Sequence, residues 1–240
     1  MVVIISCIAC FCLGIEFERV LFKNKVANRQ DKRFISSEYL LHFFVEVITI
    51  VLGIAVTLGA SQLYTDYTED RQCIEIMDQV TDIGSRQISE DIRYYSSLRH
   101  GRMGRDYFAR HDTLPVEFYE SKLNDTLLVS RLDMDGYYEI VRCLTACKTT
   151  QERLDELIYD EAVDDDTVLI IINSRNMDFY KMLINLKISN LQCQGKLQKE
   201  TCDEMRTAVK ETGSYSELRG IIEEHNLDLP VFNSEKGPDE

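Results

Sequence analysis

The stretch Tyr39–Ala60 reads YLLHFFVEVITIVLGIAVTLGA, twenty-two residues without a lysine, an arginine or an aspartate. As a helix rising ~1.5 Å per residue it would measure roughly 33 Å, enough to cross ~30 Å of hydrocarbon. The flanks differ in sign. All basic residues of the first sixty (Arg19, Lys23, Lys25, Arg29, Lys32, Arg33) precede it, while Asp66, Glu69 and Asp70 follow it. The positive-inside rule therefore puts residue 38 in the cytoplasm and residue 61 outside, and the stretch is expected to be a single membrane span, 39–60. A buried core helix of a water-soluble protein is the competing reading.

Before the span lie two further segments. Val2–Ile15, VVIISCIACFCLGI, is apolar but only roughly 21 Å long as a helix, short of a crossing. No lysine or arginine precedes it, so it lacks the charged start of a signal peptide. Residues 1–17 are open to three readings: a short hydrophobic leader, a partial second span, or a misassigned start. Residues 18–38 form a basic segment expected on the cytoplasmic side.

One carboxylate interrupts the span. A charge at mid-bilayer costs about 2.5–3.5 kcal/mol on insertion scales, so Glu46 requires a reason. His42 stands four residues before it, and Gly53 and Ala60 seven and fourteen after it, all on one helical face. A polar pair above small residues is how a membrane helix approaches a partner helix closely, so His42, Glu46, Gly53 and Ala60 are the candidate contact residues. A neutral Glu46 reaching toward the headgroups remains the alternative.

The run EVITIVLGIAVTLGASQLY resembles the membrane helix of an uncharacterised bacterial family, domain of unknown function 6090. In that family an acid is followed seven residues later by glycine, and Glu46 and Gly53 fall on those positions. Leu58 falls in the apolar run, and Ser61 and Gln62 on a pair often filled by amides. Leu63 stands where the family commonly carries tryptophan. The resemblance covers residues 38 to about 100 and implies a helical, single-span protein of a bacterial inner membrane. Its C-terminal domain would then be periplasmic, and the family carries no established activity.

No proline occurs between Ser61 and Arg99, and Ile74, Met77, Val80, Ile83, Ile88, Ile92, Tyr95 and Leu98 recur at helical spacing, with a slip at Gly84-Ser85. The span is expected to continue into an amphipathic stalk, 61–100, ending at His100-Gly101. That stalk would either pair with a second copy as a coiled coil or pack on its own domain. Beyond it, 101–229 reads as a helical domain. Pro115 opens a helix, and Asp133–Gly136 makes a turn. Thr149–Glu152 and Ser214–Glu217 match capping boxes, and Asp164–Asp166 start the long apolar run Val168–Leu191. Residues 230–240 read as a disordered tail. The fold class is all-α.

The chain has 240 residues, 45% hydrophobic and 28% charged, with a formal charge of −14. After residue 60 it holds 21 basic and 36 acidic residues, a balance that repels phosphate backbones and argues against nucleic acid as partner. Asp133 and Asp135 mimic two calcium-loop positions, but Arg131 and Arg142 occupy positions that need oxygen ligands, so no metal is expected there. The histidines (His42, His100, His111, His225) have no metal-site spacing, and no nucleophile elbow or phosphate loop is present, so neither a cofactor nor catalysis is expected. Cys143 and Cys147 lack the further ligands of a zinc site. Cys193 and Cys202, flanking a turn at Gly195, are the candidate disulfide, and Cys73 could crosslink a dimer. The expected function is a membrane-anchored envelope protein with a structural or protein-interaction role. Its partners would be lipid, an unidentified protein and a second copy through the membrane helix and stalk. A transmembrane sensor relaying an outer signal through the stalk is the second reading.

Overall fold

A computed structural model of the protein describes residues 35–111 and 114–229, and among these every regular element is an α-helix. The leader, most of the basic segment and the tail lie outside the described residues. Eight helices follow one another there: α1 Ile35–Arg99, α2 Arg105–His111, α3 Val116–Leu123, α4 Thr126–Arg131, α5 Met134–Leu157, α6 Asp165–Cys193, α7 Lys199–Glu211 and α8 Tyr215–Glu224. The chain divides into two compact units, Met1–Glu69 and Asp70–Glu240.

In the first unit α1 is a single helix whose apolar side chains face outward on all sides. Phe44, Ile48, Ile50, Val51, Leu52, Ile54, Val56 and Leu58 are all exposed. Among the described residues α1 is the one helix long and apolar enough to cross a membrane, and none of its most apolar stretch is buried. That observation removes the core-helix reading, which requires burial on at least one face.

The second unit is built around α6, which is buried on nearly every face from Val168 to Asn190. A helix that is apolar all round belongs in the centre of a bundle. It begins at Asp164, whose carboxylate accepts the N–H of Thr167 at 2.7 Å and its hydroxyl at 3.0 Å. Those hydrogen bonds hold the Asp164 carboxyl below its ordinary value. α6 stops at Gly195, whose φ of +68° lets its N–H reach Gln192 O while Lys196 N–H reaches Leu191 O. Only a residue without a Cβ adopts that left-handed stop at no cost. α1 ends in the same way at Gly101, where the sequence placed its end.

Two apolar clusters hold the unit together. The larger joins Met77, Val80 and Ile88 of α1 to Tyr119, Ile140, Phe179, Leu183, Met205 and Leu218. Tyr119 meets Phe179 edge to face, with ring centroids 5.0 Å apart. The smaller joins Tyr95 and Leu98 to Phe108, Leu154, Val168 and Ile172. Polar ties fix the periphery: Lys148 Nζ to Glu120 Oε1 at 2.9 Å, and Arg131 to Asp70 at 3.3 Å. The Arg105 guanidinium bonds Asp165 and the carbonyls of Asp160 and Val163.

Several local expectations need correction. The Thr149–Glu152 box starts no helix, because α5 runs through it. The Thr149 and Thr150 hydroxyls donate instead to the carbonyls of Thr145 and Ala146, four residues back. Asp133–Gly136 is not a turn but the entry to α5, with Asp133 at the N-cap. The α1 seam differs too: Ile83 is 45% exposed, while Cys73, Gly84 and Asp91 are buried. Of the buried positions, 73, 77, 80, 84, 88, 91, 95 and 98 follow three- and four-residue steps, with Thr81 buried beside them, and this face packs on the unit's own helices.

Candidate functional site

The side chains chosen from the span occupy one face as their spacing requires. His42 Nδ1 lies 3.9 Å from Glu46 Oε2, within ion-pair range but too far for a hydrogen bond. A Cβ added at Gly53 would meet no atom within 4 Å, so this face is open to a neighbour. Two hydroxyls that the sequence reading passed over are bonded within the helix. Thr49 donates to Val45 O and Thr57 to Gly53 O, each at 2.8 Å, so each proton has an acceptor on its own helix. Past the apolar run stand the exposed rings of Tyr64 and Tyr67. Amphipathic rings of this kind favour a membrane–water boundary.

In the second unit the most unusual chemistry is a buried charge pair. Asp91 of α1 and Arg175 of α6 have no solvent exposure, and Arg175 Nη2 lies 3.6 Å from Asp91 Oδ2. Arg175 also donates through Nε and Nη2 to Asn176 Oδ1, at 3.1 and 2.8 Å, and through Nη1 to Gln151 Oε1 at 2.7 Å. Gln87 donates to Asp91 Oδ1 at 3.1 Å. Two charges taken out of water are tolerated only with such additional hydrogen bonds. Tyr119 stands in the same environment, and its phenol is pushed above its ordinary value by burial first and by the Asp91 charge second. Sequence spacing held one signal of this pair. Met77, Gly84, Asp91 and Leu98 recur every seven residues, which places the carboxylate on the packed face.

A cavity of about 170 Å³ opens beside this network, lined by Phe108, Gln151, Leu154, Asp155, Ile158 and Tyr159. Its polar edge is Gln151, which donates to Asp155 Oδ1 at 2.8 Å. It is smaller than the roughly 300–1,000 Å³ of small-molecule sites and holds no histidine or cysteine.

Asp133, Asp135 and Asp203 bring their carboxylates within 4.8 Å of one another, a grouping that unites α5 and α7. Cations already stand among them. Lys199 reaches Asp133 at 3.1 Å, and Arg206, nearly buried, reaches Asp203 at 3.1 Å and Asp133 at 3.5 Å. Arg206 also donates to Ser189 Oγ and Gln192 Oε1, at 3.2 and 2.8 Å. A Cβ at Gly136 would lie 2.4 Å from Arg206 Nη2, so the glycine makes the room for this guanidinium. The cluster is an ion-paired helix junction rather than a cation cradle.

His100 Nδ1 donates to Ser96 O at 2.6 Å, and His225 caps α8. The His111 side chain and Asp112 lie outside the described residues. Cys73, Cys143 and Cys202 are buried free thiols, Cys147 is buried, and Cys193 is a half-buried free thiol. Full burial bars Cys73 from crosslinking two copies. Cys193, expected to pair with Cys202, is not bonded to it, and packs against the larger core cluster to which Cys73 and Cys202 belong. No family model matches this chain, and no significant match is found among curated proteins or solved structures.

Proposed function

We propose that the protein is a single-pass membrane protein of a bacterial inner membrane. In this reading the residues before the span are cytoplasmic, and the helical unit after it is periplasmic and works through protein contacts. The observation that carries this reading is the all-round exposure of the apolar side chains from Phe44 to Leu58. In water each such side chain would forgo about 1.5–3 kcal/mol of burial free energy, and a contiguous apolar surface of this kind marks a membrane or protein contact. The internally bonded Thr49 and Thr57 and the exposed Tyr64 and Tyr67 fit a lipid setting on the same helix. Orientation rests on the basic residues before the span, and the bacterial assignment rests on the Glu46–Gly53 resemblance. His42, Glu46, Gly53 and Ala60 are the residues through which the span would meet a partner helix.

Membrane extraction and protease protection in spheroplasts test the reading. Full-length protein should resist carbonate extraction, enter detergent, and lose the unit beyond residue 70 to protease added outside. Solubility without detergent would refute the span, and protection of the C-terminal unit would invert its orientation.

A further inference from the structure

The smaller apolar cluster gathers the end of α1, α2, the end of α5 and the start of α6 at one end of the helical unit. The charges of that end are sorted by sign. Residues 93–110 carry five arginines against one acid, Asp106, and residues 152–166 carry eight acids against one base, Arg153. The two arcs meet at Arg105, whose guanidinium bonds Asp165 and the carbonyls of Asp160 and Val163. Away from that seam the charges do not neutralise one another. Arg99, Arg102, Arg110, Glu156, Glu161 and Asp166 are all exposed, and among the described residues none of the six has an ion-pair partner. Helix dipoles suit Arg99 in the last turn of α1 and Asp166 in the first turn of α6. They do not explain Arg102 and Glu161, which lie outside any helix, or Glu156 in the last turn of α5, where an acid is disfavoured.

We infer that this end docks on the same end of a second copy through a two-fold contact, the basic arc of each copy facing the acidic arc of the other. A partner of one sign, such as an anionic surface, would be drawn to the arginines and repelled by the acids beside them. A second copy turned by half a revolution about the seam meets both arcs with their opposites, and each attraction is made twice. The same end exposes Tyr107, Tyr159 and Ile170, residues of the kind that fill the centre of an interface. The contact uses the surface of this unit alone and is distinct from the Glu46–Gly53 face, so it stands whatever the span meets.

Light scattering on full-length protein in detergent micelles, eluted from a sizing column, counts the copies. Wild type should be dimeric in roughly 0.1 M salt and monomeric in roughly 1 M, as the screening length falls from ~10 Å to ~3 Å. Arg102→Glu with Arg110→Glu, and separately Glu156→Lys with Glu161→Lys, turn attraction into repulsion on both sides of the axis. Each pair of changes should raise the dissociation constant at least about tenfold. An equimolar mixture of the two reversed chains should regain the dimer, because every facing pair is again of opposite sign. Gly53→Leu should leave the dimer as it was. A wild-type monomer in low salt would overturn the proposal, as would a mixture that stays monomeric while each variant keeps the wild-type circular dichroism. A dimer lost in Gly53→Leu and kept in both reversals would place the contact in the span instead.

Discussion

Gly84 and Leu183 form a pair whose worth can be computed in both directions. Gly84 is buried on α1, and a methyl group placed there would lie 2.4, 3.2 and 3.3 Å from Cδ2, Cδ1 and Cγ of Leu183, itself fully buried. In an exposed helix, Gly→Ala would stabilise by roughly 0.5–1 kcal/mol. Here three atoms of one leucine are too close, and overpacking of this kind costs about 1–3 kcal/mol. Sterics should win, leaving Gly84→Ala about 1–2 kcal/mol less stable. For a protein of this size that is a fall of roughly 2–8 °C in Tm. Leu183→Ala alone should cost about 2–5 kcal/mol through the cavity it leaves. The double variant should be more stable than the sum of the two effects predicts, because the alanine methyl at 84 enters that cavity. Thermal unfolding of full-length protein in detergent, followed by far-ultraviolet circular dichroism, measures all four corners of the cycle. A raised Tm in Gly84→Ala, or strict additivity in the double variant, would refute the claim that the glycine exists to admit Leu183.

Other sites yield further expectations. Asp91→Ala should cost about 3–5 kcal/mol by stranding the Arg175 charge, whereas Asp91→Leu with Arg175→Met should be neutral or stabilising; equal losses in chemical denaturation would contradict the buried pair. Gly136→Ala should lower the urea midpoint by displacing the Arg206 guanidinium, and an unchanged midpoint would count against that packing. Asp178 has its carboxyl raised by burial, against the pull of Lys181 and Arg142. The native state therefore holds the proton over a pH window in which the unfolded chain has lost it, and stability falls as pH rises through that window. Asp178→Asn should be more stable than wild type at neutral pH, with the gain fading below the ordinary carboxylate range; a gain independent of pH would rule this out.

Much of the helical order could be read from local chemistry. The stops at Gly101 and Gly195, the start at Asp164 and the Ser214 cap each depend on residues within one turn, where Ser214 accepts the Glu217 N–H. The Thr149 box has the same local grammar, yet α5 continues, because Cys147 and Leu154 on either side of it are buried. Packing overrode a signal worth only about 1 kcal/mol. The seam of α1 was misread where it carries Cys73, Gly84 and Asp91 instead of aliphatic residues. Gly84 and Asp91 are each placed by a partner far along the chain, Leu183 and Arg175, and Cys73 by the larger core cluster. Short-range periodicity carries no information about such partners. On the span, spacing alone aligns Glu46 with Gly53, whereas what that face meets is a matter for a second molecule.

Arg175 draws its contacts from α1, from α5 and from its own helix. None of these donors or acceptors can be withdrawn alone without leaving an ion dry and unanswered, so the three helices have little reason to come apart in sequence. Amides of α5, of α6 and of residues 84–98 should therefore exchange with deuterium through one common opening, while α8 and the ends of the bundle open on their own.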